Sequence, residues 1–266
     1  MISKRKPGKK DKKGTLKCFL LFLFILSSSS YITYGQTQDL SFYENVSVNV
    51  NLKNMHTWHG FIVTPGAMIA SSVDYRFYRE KFVIGLWGGT SFNGKYTELS
   101  YYFDYLINEN LKVSLVSHNN YSDVEKPNIF SWDKFSSPNF LDIVIETPIS
   151  QNFPLHVYFS TILFGQGGDF ETNPNTLEVK DSYSHYLELR YPFIFEEKLN
   201  ITFFAGGAFS LFTEKTFYTR HHNLVNIGLQ LQKQISFLNY TKLLKAKAFW
   251  NPESKKAGLE IDFPLL

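Results

Sequence analysis

Residues 98–107 read Glu-Leu-Ser-Tyr-Tyr-Phe-Asp-Tyr-Leu-Ile, and this stretch decides the fold. Leucine and aromatic side chains fill the odd positions up to Tyr105, while the even positions include the two acids Glu98 and Asp104. Successive side chains of a β-strand point to opposite faces, so this period predicts a strand with one apolar face and one polar face.

The same period of two recurs along most of the chain and predicts about twelve strands. Several of them are about ten residues long, which suits a tilted strand that crosses a bilayer. A count of ten remains open if weaker strands merge. The predicted strands cover residues 44–54, 67–78, 82–92, 97–107, 111–120, 140–148, 155–165, 182–194, 199–211, 224–236, 242–251 and 257–265.

The connections between the predicted strands alternate between short and long. Short ones fall near residues 78–81, 108–110, 150–154, 195–198 and 237–241, and the longest cover residues 55–66, 121–139, 166–181 and 212–223. If the first strand rises from the periplasm, every short turn falls on the periplasmic side. This asymmetry is typical of outer-membrane β-barrels.

Charged residues avoid one phase of each predicted strand, as a strand facing lipid requires. His185 is expected to face lipid near a rim, and an interfacial aromatic girdle is predicted to include Trp87, Trp250, Tyr191 and Tyr240. Those on the other phase would face the lumen, where rings of charge can set ion selectivity. The alternative is an interior filled by salt bridges, and bulky aromatic residues on the same phase favour a narrow or occluded lumen. The predicted lumen charges are Asp74, Arg76, Glu98, Asp104, Lys112, Asp142, Glu146, Glu188, Arg190, Lys245, Lys247, Glu260 and Asp262.

The first 35 residues have the composition of a secretory signal peptide. Residues 1–17 hold eight lysines and arginines and one acid, and nine apolar residues, Cys18–Leu26, follow. A basic stretch and an apolar run this short predict export and cleavage, here near Gly35, rather than a membrane-spanning helix. The remaining chain would have 19 basic and 23 acidic residues and no cysteine, which removes the support for nucleic-acid binding and for a disulfide scaffold.

Several motifs resemble those of the TorF-type porin family, conserved hypothetical outer-membrane barrels, in a form typical of Bacteroidetes-like bacteria. The resemblance covers roughly residues 45–265 and rests on Trp58-His59-Gly60, on residues 85–99, 186–193 and 226–229, and on Asn251-Pro252-Glu253. His59 stands where many relatives carry arginine. The resemblance implies an outer-membrane barrel and a porin-like role.

Enzymatic and metal-dependent roles have weaker support in the sequence. A serine nucleophile needs a histidine within hydrogen-bond reach. Ser117 and His118 are adjacent and so point to opposite faces of a strand, while His156 and Ser160 lie about 13 Å apart along theirs. The histidines at positions 56 and 59 and at positions 221 and 222 belong to two long loops and could in principle bind a metal, but neighbouring residues point apart, so a surface histidine pair is expected instead.

The sequence therefore predicts an all-β protein: a signal peptide over residues 1–35, a short lead over residues 36–43, and a single antiparallel transmembrane β-barrel over residues 44–266. We expect porin-like passage of small solutes through a narrow charged lumen, without enzymatic activity, cofactor or metal. A closed barrel whose long loops bind an extracellular ligand is the alternative, and an outer-membrane lipid hydrolase is the third. The expected partners are outer-membrane lipid and a small solute or extracellular ligand; no oligomeric state is predicted.

Overall fold

A computed structural model describes residues 42–150, 152–165, 167–195, 199–237 and 240–265. The predicted signal peptide and residues 36–41 of the predicted lead lie outside these ranges.

A 3₁₀ helix, Phe42–Asn45, precedes the first strand. The strands are β1 (Val46–Lys53), β2 (His56–Trp58), β3 (Phe61–Thr64), β4 (Met68–Phe77), β5 (Phe82–Ser91), β6 (Thr97–Leu106), β7 (Lys112–His118), β8 (Phe140–Ser150), β9 (Phe153–Gly165), β10 (Phe170–Thr172), β11 (Val179–Asp181), β12 (His185–Phe195), β13 (Leu199–Phe209), β14 (Asn223–Phe237), β15 (Tyr240–Asn251) and β16 (Lys256–Pro264).

Twelve of these strands form one closed antiparallel barrel, in the order β1-β4-β5-β6-β7-β8-β9-β12-β13-β14-β15-β16 and back to β1. The predicted fold class and the count of twelve are therefore confirmed. The remaining four strands form two small hairpins, β2-β3 and β10-β11, within segments predicted as loops. Among the residues that the structure describes, no helix is long and apolar enough to span a bilayer.

The barrel closes between β1 and β16 through a short seam. Three residue pairs, Asn51 to Lys53 against Asp262 to Pro264, form the ladder there. Asn54 extends it with its side chain: Nδ2 donates to the Leu259 carbonyl at 2.9 Å, and Oδ1 accepts from the Ile261 amide at 2.7 Å. The side-chain amide thus adds to the backbone bond that the Asn54 N–H donates to the Ile261 carbonyl at 3.3 Å.

The outer wall carries an apolar belt. Its side chains point away from the lumen and each leaves more than a third of its surface exposed. A contiguous apolar surface of this extent marks a membrane-facing surface. The barrel therefore faces lipid around its circumference. The belt includes Val48, Val73, Ile84, Leu86, Leu99, Phe103, Leu115, Leu187, Leu189, Phe203, Leu231, Leu259 and Ile261.

Aromatic side chains narrow the lumen from the inner wall. Tyr186 is fully buried and lies across Gly206 on the neighbouring strand, where a Cβ atom would approach the tyrosine hydroxyl to 2.3 Å. Tyr102 lies across Gly85 in the same way and donates a hydrogen bond to Asp74. The absence of a side chain at each glycine gives the tyrosine ring its space inside the wall.

The structure corrects two sequence-based assignments of aromatic side chains. Trp87, expected in an interfacial girdle, lies on the inner face of β5 and stacks on His56 with ring centroids 5.3 Å apart. His185 was expected to face lipid near the rim. Its phase is outward, but it is only 9% exposed because it packs on Phe159 and places Nδ1 2.8 Å from the Thr161 hydroxyl.

The assignment of outer and inner phases can be tested by placing an arginine on each face of the wall in turn. We expect Leu189→Arg to destabilise the folded barrel in lipid vesicles by about 2–4 kcal/mol, because an outward arginine must enter hydrocarbon. Gln232→Arg is the matched control, since Gln232 lies on the inner phase of β14. Urea unfolding in vesicles measures both; equal losses would contradict the assigned phases.

Candidate functional site in the barrel lumen

A hairpin between β1 and β4 folds into the lumen instead of projecting outward. This segment, residues 56–64, consists of β2, β3 and the turn between them, and we refer to it as the lumen hairpin. Its side chains contact strands on several sides of the barrel. Trp58 packs against Phe140, Phe217 and Tyr218, which belong to β8 and to the long connection between β13 and β14.

His59, at the tip of the lumen hairpin, lies among three tyrosines. Its ring stacks on Tyr186 with centroids 3.8 Å apart and an interplanar angle of 10°. Nδ1 lies 3.2 Å from the Tyr218 hydroxyl, and Nε2 lies 3.3 Å from the Tyr158 hydroxyl. A neutral imidazole satisfies both contacts, because one ring nitrogen donates and the other accepts.

Two histidines of the lumen hairpin are held neutral. Burial lowers the pKa of His59 well below its usual value, and electrostatic interactions with His118, Arg190 and Lys247 lower it further. Burial, and then the charge of Lys53, lower the pKa of His56 to about 4. Docking of the hairpin therefore favours uncharged imidazoles.

Gly60 brings the hairpin tip against the barrel wall. It has a φ of +81°, and a Cβ atom there would lie 2.0 Å from the carbonyl oxygen of Val225. Its own carbonyl accepts a hydrogen bond of 3.2 Å from the buried Asn251 side chain. The Trp58-His59-Gly60 motif thus forms the tip of an inserted hairpin.

A polar network joins the hairpin to β1, β15 and β16. The Thr57 hydroxyl donates to Glu260 and accepts from Lys247. Glu260 lies 2.7 Å from the Lys53 ammonium and 3.5 Å from that of Lys247. Asp262 lies 3.9 Å from Lys53. This cluster of two cations and two anions is electrically balanced.

A second balanced cluster lies on the β7, β8 and β12 wall. Arg190 Nε is 2.6 Å from Glu188, and its Nη1 is 3.7 Å from Glu146. Lys112 lies 2.7 Å from Glu146. The Arg190 guanidinium also lies over the Tyr158 ring, 4.8 Å from its centroid. Here too, two cations face two carboxylates.

The structure also places the other predicted lumen residues on the inner phase. Glu98 and Asp142 flank His118, each 3.9 Å from one of its ring nitrogens. Asp74 accepts from Tyr102 and from Ser47, the latter at 3.3 Å. Arg76, Asp104 and Lys245 lie on the same face of β4, β6 and β15 and belong to neither balanced cluster.

A cavity of about 620 Å³ occupies the half of the lumen that ends in the short turns, and His59 forms part of its boundary. Most of its lining residues are polar, with the amides of β13 and β14 on one side and the Arg190 cluster on another. A smaller cavity of about 320 Å³ lies beside β1, β4 and β15. The larger cavity is lined by His59, Glu146, Thr147, His156, Val157, Glu188, Arg190, Pro192, Ile194, Asn200, Thr202, Phe204, Asn226, Gln230, Gln232 and Lys247.

The histidines and serines considered for a hydrolase lie apart or have other partners. His118 lies between Glu98 and Asp142. Ser117 is on the opposite phase, where it accepts from the Trp132 indole at 3.3 Å and donates to Asn119 at 3.0 Å. No group of three potential metal ligands occurs in the part of the chain that the structure describes.

Sequence reasoning missed the residues that narrow the lumen from its loops. Residues 55–66 were predicted as a long external connection, yet they contain the lumen hairpin. Tyr218, from another long connection, was likewise not singled out. The available signal was Trp58-His59-Gly60, two aromatic rings followed by a glycine in a segment otherwise taken as a surface loop.

No protein-family model matches the chain, and no curated protein matches it. Similar solved structures include the NanC porin, with 6% identity, a TM-score of 0.44, and coverage of 82% of this chain and 98% of that one. The outer membrane protein opdK from Pseudomonas aeruginosa has 12% identity and a TM-score of 0.37, over 83% and 60% of the two chains. An outer membrane channel from Pseudomonas putida F1 has 9% identity and a TM-score of 0.39, over 88% and 98%. Sequence identities this low do not extend a solute or a role from those proteins to this chain.

Docking of the lumen hairpin can be tested at its tip. We expect Gly60→Ala to expel the hairpin while the barrel stays folded, because the methyl group meets the Val225 carbonyl. Thr64→Cys, in a Cys18→Ser background, reports docking: Thr64 is 3% exposed, so maleimide should label it slowly until the hairpin leaves. Gly94→Ala is the control, with a φ of +71° and no atom within 4 Å of the added methyl. Equal labelling rates in both variants would contradict the inserted position.

Acidification should weaken docking of the hairpin. A histidine whose pKa is lowered in the docked state stabilises that state fully at pH values above its free pKa of about 6.5. The stabilisation falls by about 1.4 kcal/mol for each pH unit below that value. Labelling of Thr64→Cys should therefore speed up between pH 7 and pH 5, relative to a thiol on an exposed loop. A rate ratio that stays constant or falls would contradict this. The charged groups that influence His56 and His59 are Lys53, Glu98, His118, Arg190, Lys247 and Glu260.

Proposed function

We propose that this chain is a non-enzymatic outer-membrane barrel that lets small solutes pass through a narrow charged lumen, with the lumen hairpin as its narrowest point. The observation that carries the proposal is the polar cavity of about 620 Å³ inside the barrel, bounded on one side by His59. An interior serving only to support the wall would need no open space of this size beside the hairpin.

The hairpin contacts the barrel through both polar and aromatic groups. Hydrogen bonds join it to the barrel through Thr57, His59 and the Gly60 carbonyl, and Trp58 packs against the apolar cluster around Tyr186. Water can replace the hydrogen-bond partners when the hairpin shifts, because the net stabilisation of one hydrogen bond is only about 1 kcal/mol. The proposed conducting state keeps the ring of strands intact and displaces the hairpin, with loss of the Trp58 packing.

The outer membrane is the proposed location. The apolar belt requires a bilayer, and alternation of short turns with long loops is typical of outer-membrane barrels. The short turns would then face the periplasm, and export would use residues 1–35 as the signal peptide. Membership of the TorF-type porin family is part of this proposal and rests on the motifs around Trp58-His59-Gly60.

Planar-bilayer recording tests the function directly. The folded wild-type protein should give small discrete conductance steps, and replacing residues 55–66 with a short Gly-Ser turn should enlarge them several-fold. Such a turn can join β1 to β4 because Lys53 and Met68 already pair. The Gly94→Ala variant should conduct like the wild type.

Two outcomes of the recording would contradict the proposal. A silent wild type with large steps only after removal of the hairpin would overturn it in favour of a closed barrel. In that case residues 121–139 and 166–181 become the first segments to test for binding of an extracellular ligand. Silence in both proteins would exclude passage through this lumen altogether.

A further inference from the structure

The charges that line the larger cavity are already compensated. Arg190 is held by Glu188 and Glu146, and Lys247 is held by Glu260. Glu146 is also paired with Lys112, so the two clusters described above contain equal numbers of cations and anions. An anionic or cationic solute would have to break one of these pairs and leave a partly buried partner uncompensated, which is costly.

Uncharged groups line the facing wall of this cavity. Gln230 and Gln232 are on the inner phase of β14, opposite Thr202 and Asn200 of β13. Over the described ranges, the side-chain amides of Gln230 and Gln232 have no protein hydrogen-bond partner, while Thr202 and Asn200 share one weak contact of 3.5 Å. The four side chains therefore present free donors and acceptors side by side.

Apolar surfaces complete the lining. The ring of Phe204 and the side chains of Pro192 and Ile194 border the same cavity as the amides. A volume of about 620 Å³ falls within the range of about 300–1,000 Å³ that is typical of small-molecule sites. The cavity thus combines amide groups, an aromatic ring and aliphatic surface around a space of ligand size.

We propose that this cavity binds neutral, polyhydroxylated solutes of the saccharide class, in preference to charged solutes of similar size. A sugar hydroxyl both donates and accepts, as a side-chain amide does, and sugar C–H faces can pack on an aromatic ring. Neutral solutes leave the two ion-pair clusters intact. The role of this binding in solute passage rests on the proposed function. Binding of a saccharide in the cavity does not itself require that the barrel conducts.

The test measures binding and passage separately. Calorimetry on the folded full-length barrel in detergent would compare maltotriose with two charged oligosaccharides of similar size, one carrying a uronate and one carrying amino groups. We expect maltotriose to bind more tightly than either. Gln230→Leu and Gln232→Leu should each weaken its binding about fivefold, the effect of losing one net hydrogen bond.

Gln234→Leu is the matched control, because Gln234 shares the strand and the inner phase but does not line the cavity. Its maltotriose affinity should equal that of the wild type. Tighter binding of the uronate or amino sugar, no maltotriose binding, or equal losses in all three variants would overturn the inference.

Liposome swelling with the same three sugars then separates the two proposals. Faster entry of maltotriose than of the charged sugars supports both. Entry of all three without preference, or faster entry of a charged sugar, would overturn the saccharide inference while leaving passage intact. Calorimetric binding without any entry would preserve the inference and overturn the proposed function.

Discussion

Every backbone N–H and C=O group inside a bilayer must find a partner within the protein, and this constraint dictates the whole structure. A sheet meets it only by closing on itself, so twelve strands form a continuous ring of antiparallel pairs. The seam between β1 and β16 is the shortest part of that ring. Asn54 strengthens it with two side-chain hydrogen bonds beside its own backbone bond to Ile261.

Closure also decides what the inward phase has to do. Because the apolar side chains of each strand face lipid, the polar side chains face the confined lumen. Their charges must compensate one another there. The two balanced clusters around Arg190 and Glu260 achieve this. In the larger cavity, their mutual compensation leaves the side-chain amides of Gln230 and Gln232 free to contact a solute, which links the wall chemistry to the proposed function.

The period of two in the sequence predicts the barrel well, because alternate residues of each strand face lipid and the lumen and differ in polarity accordingly. It also predicts the inner phase of residues such as Glu188 and Lys247. It does not predict which charges pair, because pairs such as Arg190 with Glu146 depend on the registers of β12 and β8 against β9, the strand between them. The assignment of Trp87 to a girdle was wrong because it overlooked the glycines on the same phase of β5. Their lack of side chains leaves space for aromatic rings on the inner face of the wall. The strands of the lumen hairpin are too short for alternation to distinguish them from a loop.

The placement of the lumen hairpin directly after the seam links the constriction to barrel assembly. The tip contacts Tyr186, Val225 and Asn251, while its base at Thr57 contacts Glu260, so several of its partners come from the last third of the chain. Those partners surround the hairpin only when the terminal strands have met. The complete set of hairpin contacts therefore exists only in the closed ring, so full docking of the hairpin depends on the seam.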